Sequence, residues 1–170
     1  TLSLHALFRS NNKGVYNSAS ILQETSYIRE YFKNASIEVK KNFIGTLRDS
    51  QKLLEEEIKR LEPKKTEINI RNVYGQMLIE LSSNIGAELK FYCESKEAIS
   101  TIKQTYKTLD EYLSLAIIYS PDPYYPVDIW AWAIDDLLQL SEISEDEKTE
   151  LTGKIVSLFE KVSTENPEVI

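Results

Sequence analysis

Residues 99–119 of this 170-residue chain read ISTIKQTYKTLDEYLSLAIIY, and their pattern decides the fold. Apolar side chains recur every three or four residues, the spacing that places them along one face of an α-helix. The strict alternation that a half-buried strand requires is absent. The stretch therefore predicts an amphipathic helix with one buried face. The apolar positions are Ile99, Ile102, Tyr106, Leu109, Leu113, Ala116 and Ile117.

The same spacing continues through most of the chain and predicts six further helices and no strand. These are predicted at about 2–9, 17–34, 36–62, 70–92, 127–140 and 145–165. A capping box of Ser144 and Glu147 opens the last helix, and Pro63 ends the longest one. The last helix is expected to bury Leu151, Ile155, Leu158, Phe159 and Val162. We expect an all-α fold of about seven helices, arranged as antiparallel helical hairpins or an α-solenoid.

The longest predicted helix, at 36–62, would extend about 40 Å at 1.5 Å per residue. That length fits a helical hairpin or a solenoid better than a compact bundle of average helices. Its apolar stripe permits pairing within the chain or with a second copy. We expect one helical domain over 1–170, with a possible division into a long-helix hairpin, 1–63, and a helical-repeat part, 64–170. Because the chain begins with threonine, we also expect it to be a fragment of a larger protein.

Composition and charge argue against several classes of protein. One cysteine, Cys93, excludes an internal disulfide framework, and one histidine, His5, argues against a histidine-based metal site. No apolar run approaches the length of a membrane span. We therefore expect a cytoplasmic protein with no metal, no cofactor and no membrane association.

Charge is distributed unevenly along the chain. Residues 1–120 hold 17 basic and 15 acidic side chains, whereas residues 121–170 hold 3 basic and 12 acidic ones. Nucleic-acid binding requires a cationic surface, so we expect no nucleic-acid partner. A neutral or basic protein partner would suit the acidic C-terminal third. A solvated acidic helix face is the alternative interpretation.

One short pattern occurs twice, 47 residues apart. An aromatic residue is followed three positions later by an aliphatic one and then, beyond the helix end, by a proline. The two copies are Tyr112, Leu115 and Pro121, and Phe159, Val162 and Pro167. This pattern, over about residues 96–167, resembles the second helix of a tetratricopeptide repeat. The resemblance implies a right-handed stack of antiparallel helices that binds other proteins on its concave face.

Five of the 17 aromatic side chains fall within 14 residues, around the loop predicted at 120–126. Tyrosine and tryptophan offer a large contact area at low entropic cost, which makes them frequent anchors of interfaces. The alternative is that Trp130 and one tyrosine fill the junction between stacked helices. The candidate partner-binding residues are Tyr119, Tyr124, Tyr125, Asp128 and Trp132.

No phosphate-binding loop, dinucleotide fingerprint or nucleophile elbow occurs in the sequence. We therefore expect a non-catalytic protein-interaction or scaffold module that binds a protein partner or another domain of its parent protein. The alternative is the helical regulatory or sensor region of a multidomain bacterial signal-transducing NTPase. Residues 124–128, YYPVD, resemble junctions between the helices of such regions in general style. A self-contained enzyme would require acidic and tyrosine side chains to converge in one pocket.

Overall fold

The computed structural model describes residues 18–165, which form six α-helices joined by short connections and no strand. The all-α fold is confirmed. The helix predicted at 2–9 lies outside the described residues, so the count of seven stays a prediction. The helices are α1 (Ser18–Asn34), α2 (Ile37–Leu61), α3 (Ile68–Glu94), α4 (Ile99–Tyr119), α5 (Tyr124–Leu138) and α6 (Glu145–Glu165), with a 3-10 turn at Glu62–Lys64.

Local side-chain chemistry sets several of the helix ends. The backbone N–H of Val39 donates to Ser36 Oγ at 3.3 Å and caps α2. The predicted capping box opens α6, because the Ser144 N–H donates to a Glu147 carboxylate oxygen at 2.9 Å. In return, the Glu147 N–H donates to Ser144 Oγ at 3.3 Å. Sequence reasoning therefore located these two helix starts correctly.

The long helix α2 pairs with α3 inside the chain. Lys40, near the start of α2, lies 3.5 Å from Glu94 at the end of α3. Further along α2, Arg48 Nε donates to Glu88 at 2.9 Å. Because the residue numbers rise on one helix as they fall on the other, α2 and α3 are antiparallel.

Two ion pairs fix the direction of α6 relative to α4. Lys103 lies 2.5 Å from Glu147, and Lys154 pairs with Asp110. Each pair spans 44 positions along the chain. The constant offset means that α4 and α6 run parallel, with α5 between them in sequence.

Helix α3 lies at the centre and packs against α1, α2, α4 and α5. A continuous apolar core surrounds it and extends from Ile21 on α1 to Leu137 on α5. None of the described helices is both long and apolar enough to cross a bilayer.

The N-terminal part of α3 lies very close to the end of α4 at a glycine. A Cβ at Gly75 would collide with the backbone carbonyl oxygen of Tyr119 and would lie 2.6 Å from its carbonyl carbon. The nitrogen of Ser120 would lie 3.1 Å away. The end of α4 therefore rests directly on the backbone of α3, and only glycine leaves room for it.

Two sequence-based expectations are wrong in detail. Helix α5 begins at Tyr124, inside the loop predicted at 120–126, because the Tyr124 N–H donates to Asp122 Oδ1 at 3.0 Å. Pro126 lies in the first turn, where a missing N–H leaves no helical hydrogen bond unmade.

In α6 only Val162 is buried, and Phe159 is 38% exposed. The reason is that α6 packs mainly against α5, so one neighbour covers only a narrow stripe of it.

Candidate functional site: a groove between α1, α3 and α5

An open groove of about 500 Å³ lies where α1, the start of α2, the C-terminal half of α3 and α5 meet. Phe32, Ala87, Ile129 and Ala133 supply its apolar lining. Two aromatic side chains from α5, Tyr125 and Trp132, also line it. The groove therefore combines an apolar surface with two of the aromatic residues that sequence reasoning selected.

The two tryptophans of α5 point in different directions because two residues rotate a helix by about 200°. Trp130 is 2% exposed, and its Nε1–H donates to Asp110 Oδ1 at 2.8 Å. The Lys154 ammonium bonds the same carboxylate and lies 5.3 Å from the Trp130 ring centre. Trp130 thus joins α4, α5 and α6. Trp132 is 61% exposed and lines the groove.

Tyr125, Ile129 and Trp132 form an aromatic–aliphatic row along one face of α5, at spacings of four and three residues. Ile129, the middle residue of the row, is buried, whereas Tyr125 is 39% exposed. Arg29 on α1 lines the same groove as Tyr125. The row therefore faces α1 across the groove.

Tyr119 lies away from the groove, at the N-terminal part of α3. Its ring meets Tyr74 edge-on, with centroids 5.0 Å apart. The Arg71 guanidinium lies 5.0 Å from the ring centre, and the Lys65 ammonium lies 5.8 Å from it. These contacts place Tyr119 in the packing between α3 and α4.

The remaining two candidates are not part of the groove lining. Tyr124 is half-buried, and its hydroxyl oxygen is buried without a hydrogen-bond partner among the described residues. Asp128 is half-buried on α5, one turn before Trp132. The fold therefore brings only Tyr125 and Trp132, of the five predicted partner-binding residues, into the groove.

A hydrogen-bonded chain stiffens the wall formed by α1 and α3. Arg29 donates from Nε and Nη2 to both carboxylate oxygens of Glu80, at 3.0 and 3.2 Å. Glu80 also accepts from Asn84 Nδ2 at 2.9 Å, and Asn84 accepts from Ser50 on α2 at 3.0 Å. Burial acts to lower the pKa of Arg29, but the hydrogen bond and charge of Glu80 outweigh it and raise that pKa.

Two lysines on this side of the groove, Lys33 on α1 and Lys40 at the start of α2, are also paired with carboxylates. Lys40 lies 3.5 Å from Glu94, and its ammonium is 5.7 Å from the centre of the Phe32 ring. Lys33, which is more exposed, lies 3.7 Å from Glu30. Each ammonium group therefore has a carboxylate close to it on its own side of the groove.

The α5 wall carries the carboxylates Asp135 and Asp136. Burial raises the pKa of Asp136, and the charges of Asp135 and Glu94 raise it further. Lys90, on the facing helix, acts in the opposite direction. The α5 side thus carries carboxylates and no lysine or arginine, whereas the opposite side carries cations that are paired with carboxylates.

The described residues hold neither a cluster of metal ligands nor an activated thiol. No group of three or more His, Cys, Asp or Glu side chains within 18–165 is placed to hold a metal ion. Burial raises the pKa of the Cys93 thiol to about 11, so it remains protonated at neutral pH. His5 lies outside the described residues.

Sequence reasoning missed the part of the groove that α1 and α3 contribute. Arg29 and Glu80 are 51 residues apart, so no local pattern connects them. Gly86 is the one available signal, because a glycine inside a helical stretch often marks a special site. It lines the groove opposite α5.

The repeated pattern that resembles a tetratricopeptide repeat occupies two unlike environments. Tyr112 is half-buried and Leu115 is exposed, whereas Phe159 is exposed and Val162 is buried. The family resemblance therefore stays a prediction.

No model of a known protein family, no curated protein and no solved structure matches the chain.

Proposed function

We propose that this chain is a non-catalytic protein-interaction module that holds a segment of another protein in the groove between α1, α3 and α5. The exposure of Trp132 carries the proposal. A tryptophan that is 61% exposed beside an apolar groove leaves a large apolar area in water. Tryptophan and tyrosine anchors in such settings commonly dominate the energy of a protein interface.

The rigidity of the groove walls supports the same function. Arg29 and Glu80 hold α1 to α3 through two parallel hydrogen bonds. On the other side, the buried Trp130 holds α5 to α4 through Asp110. Walls fixed before binding lower the entropic cost of association.

The order of the helix contacts supports a stacked, solenoid-like arrangement. Every pair of helices with extensive contact consists of neighbours in sequence or next-but-one neighbours. Repeat proteins have this kind of short-range contact and use the surfaces between their helices to bind partners. A groove formed by α1, α3 and α5 is consistent with such a use.

The test is a quantitative binding experiment with a reconstituted partner. Proteins captured from the source lysate by the full chain are identified, purified and titrated against it. We expect Trp132→Ala to weaken binding roughly tenfold or more, because it removes the exposed anchor. The matched control is Tyr27→Ala, an aromatic 66% exposed on α1 that does not line the groove.

Equal losses in the two variants, or no loss in Trp132→Ala, would contradict the proposal. Because both side chains are exposed, neither change should disturb the fold, which circular dichroism checks. A purified partner that proves to be an NTPase domain would make the chain the helical regulatory region that the sequence analysis also considered.

A further inference from the structure

We propose that the bound segment presents an arginine or lysine side chain to Trp132, next to an aliphatic side chain that enters the groove. This inference rests on the proposed function and specifies its ligand. The occupant is a cationic, apolar stretch of a protein partner. The argument depends on how charge is distributed between the two walls of the groove.

Helix α5, which carries Trp132, contains three carboxylates and no lysine or arginine. Asp128 precedes Trp132 by four residues, and Asp135 and Asp136 follow it by three and four. Side chains at these spacings are neighbours on a helix surface. None of the three carboxylates lies within 4.0 Å of a cationic group from the described residues.

The facing wall does not neutralise these carboxylates. Arg29, Lys33 and Lys40 lie 3.0 to 3.7 Å from carboxylates on their own side of the groove. Lys90 is the remaining cation of the lining, and it acts on Asp136 without an ion pair. The charge left without an ion pair on the α5 side of the groove is therefore mainly negative, because Asp135 and Asp136 line the groove and Asp128 lies just outside it.

An exposed indole among carboxylates suits a cation with an apolar stem. An arginine guanidinium stacks on the face of tryptophan, and carboxylates accept its hydrogen bonds. Its methylene groups would cover the ring that is now in water. An adjacent aliphatic side chain would meet Ile129 and Ala133, which line the groove.

The wider charge of the chain favours the same partner. Residues 121–170 carry 12 acidic and 3 basic side chains, so this part of the protein repels anions over a longer range. An acidic peptide or a nucleic-acid backbone would approach α5 against that field. A basic segment would be attracted to it.

The test begins with random 12-residue peptides, displayed on phage and selected on the immobilised full chain. We expect the enriched peptides to carry arginine or lysine beside an aliphatic residue and to lose binding to Trp132→Ala. A synthetic copy of the best peptide is then titrated by fluorescence anisotropy. Replacing its arginine by uncharged citrulline should weaken binding about fivefold or more.

Matched variants of the chain test the role of the α5 carboxylates. One combines Asp128→Asn, Asp135→Asn and Asp136→Asn. The control combines Glu150→Gln, Glu160→Gln and Glu165→Gln, exposed positions on α6 with the same change in net charge. We expect roughly tenfold weaker peptide binding for the first and less than a twofold change for the second.

The outcomes separate the two proposals. Peptides that depend on Trp132 but are acidic or uncharged would overturn this inference and leave the proposed function standing. Equal losses in both triple variants would overturn the inference as well, because only overall charge would then matter. If no enriched peptide depends on Trp132, the proposed function fails and this inference fails with it.

Discussion

The N-terminal part of α3 packs tightly against α4, whereas its C-terminal half borders the groove. A glycine lies in each part. At Gly75 the backbone of α4 touches α3 so closely that a Cβ has no room. At Gly86, eleven residues later, a Cβ would lie 3.8 Å from Ile129, an ordinary contact, and the groove begins there. A glycine inside a helix thus marks closed packing in one place and open space in the other.

The largest expected effect comes from the closed packing around α5. Trp130→Ala removes a buried indole and its hydrogen bond to Asp110, so we expect it to lower the free energy of unfolding by about 3–5 kcal/mol. Trp132→Ala, on the groove side, should change it by less than about 0.5 kcal/mol. Urea unfolding followed by circular dichroism measures both.

If Trp130→Ala fails to fold, Trp130→Phe keeps an aromatic ring but removes the Nε1–H donor and part of the indole's volume. We expect a cost of about 1–3 kcal/mol for it, since Asp110 then loses one of its partners. Equal stability losses at residues 130 and 132 would contradict the distinction between a packed side of α5, at Trp130, and an exposed side, at Trp132.

The next largest effect is expected at the crossing of α3 and α4. Gly75→Ala should lower the free energy of unfolding by about 3 kcal/mol, because the new Cβ meets backbone atoms of Tyr119 that cannot rotate away. The control is Gly45→Ala on α2, where nothing beyond the adjacent helix backbone lies within 4 Å of the added carbon. We expect that change to stabilise the chain by up to about 1 kcal/mol. A Gly75→Ala variant as stable as the parent chain would contradict the close approach.

Sequence reasoning succeeded where the signal is local. The capping box of Ser144 and Glu147 needs only four adjacent residues, and Pro63 ends α2 through its own ring geometry. Helical spacing alone established the all-α fold. It placed Trp132 on a helix but left Tyr125 in the loop predicted at 120–126, whereas both residues lie on α5.

It left Trp130 out of the partner-binding candidates, but it could not separate Tyr119 and Tyr124 from Tyr125, which alone of the three lines the groove. Trp130 and Trp132 are chemically the same, and only the positions of α4 and α6 make one of them buried. Likewise, Arg29 reaches Glu80 through packing between helices that are distant in sequence. The groove depends on these non-local contacts, so only its α5 side could be anticipated.

The smallest expected effect tests the open side of α3. Gly86→Ala should raise the free energy of unfolding by about 0.5–1 kcal/mol, because alanine favours the helix and its methyl group makes only an ordinary contact with Ile129. Thermal and urea unfolding beside the parent chain measure the gain. A loss of stability would mean that the groove closes around Gly86 and that both glycines mark close packing. A gain would mean that glycine leaves space in the groove at the expense of helix stability, as expected where a binding surface needs room.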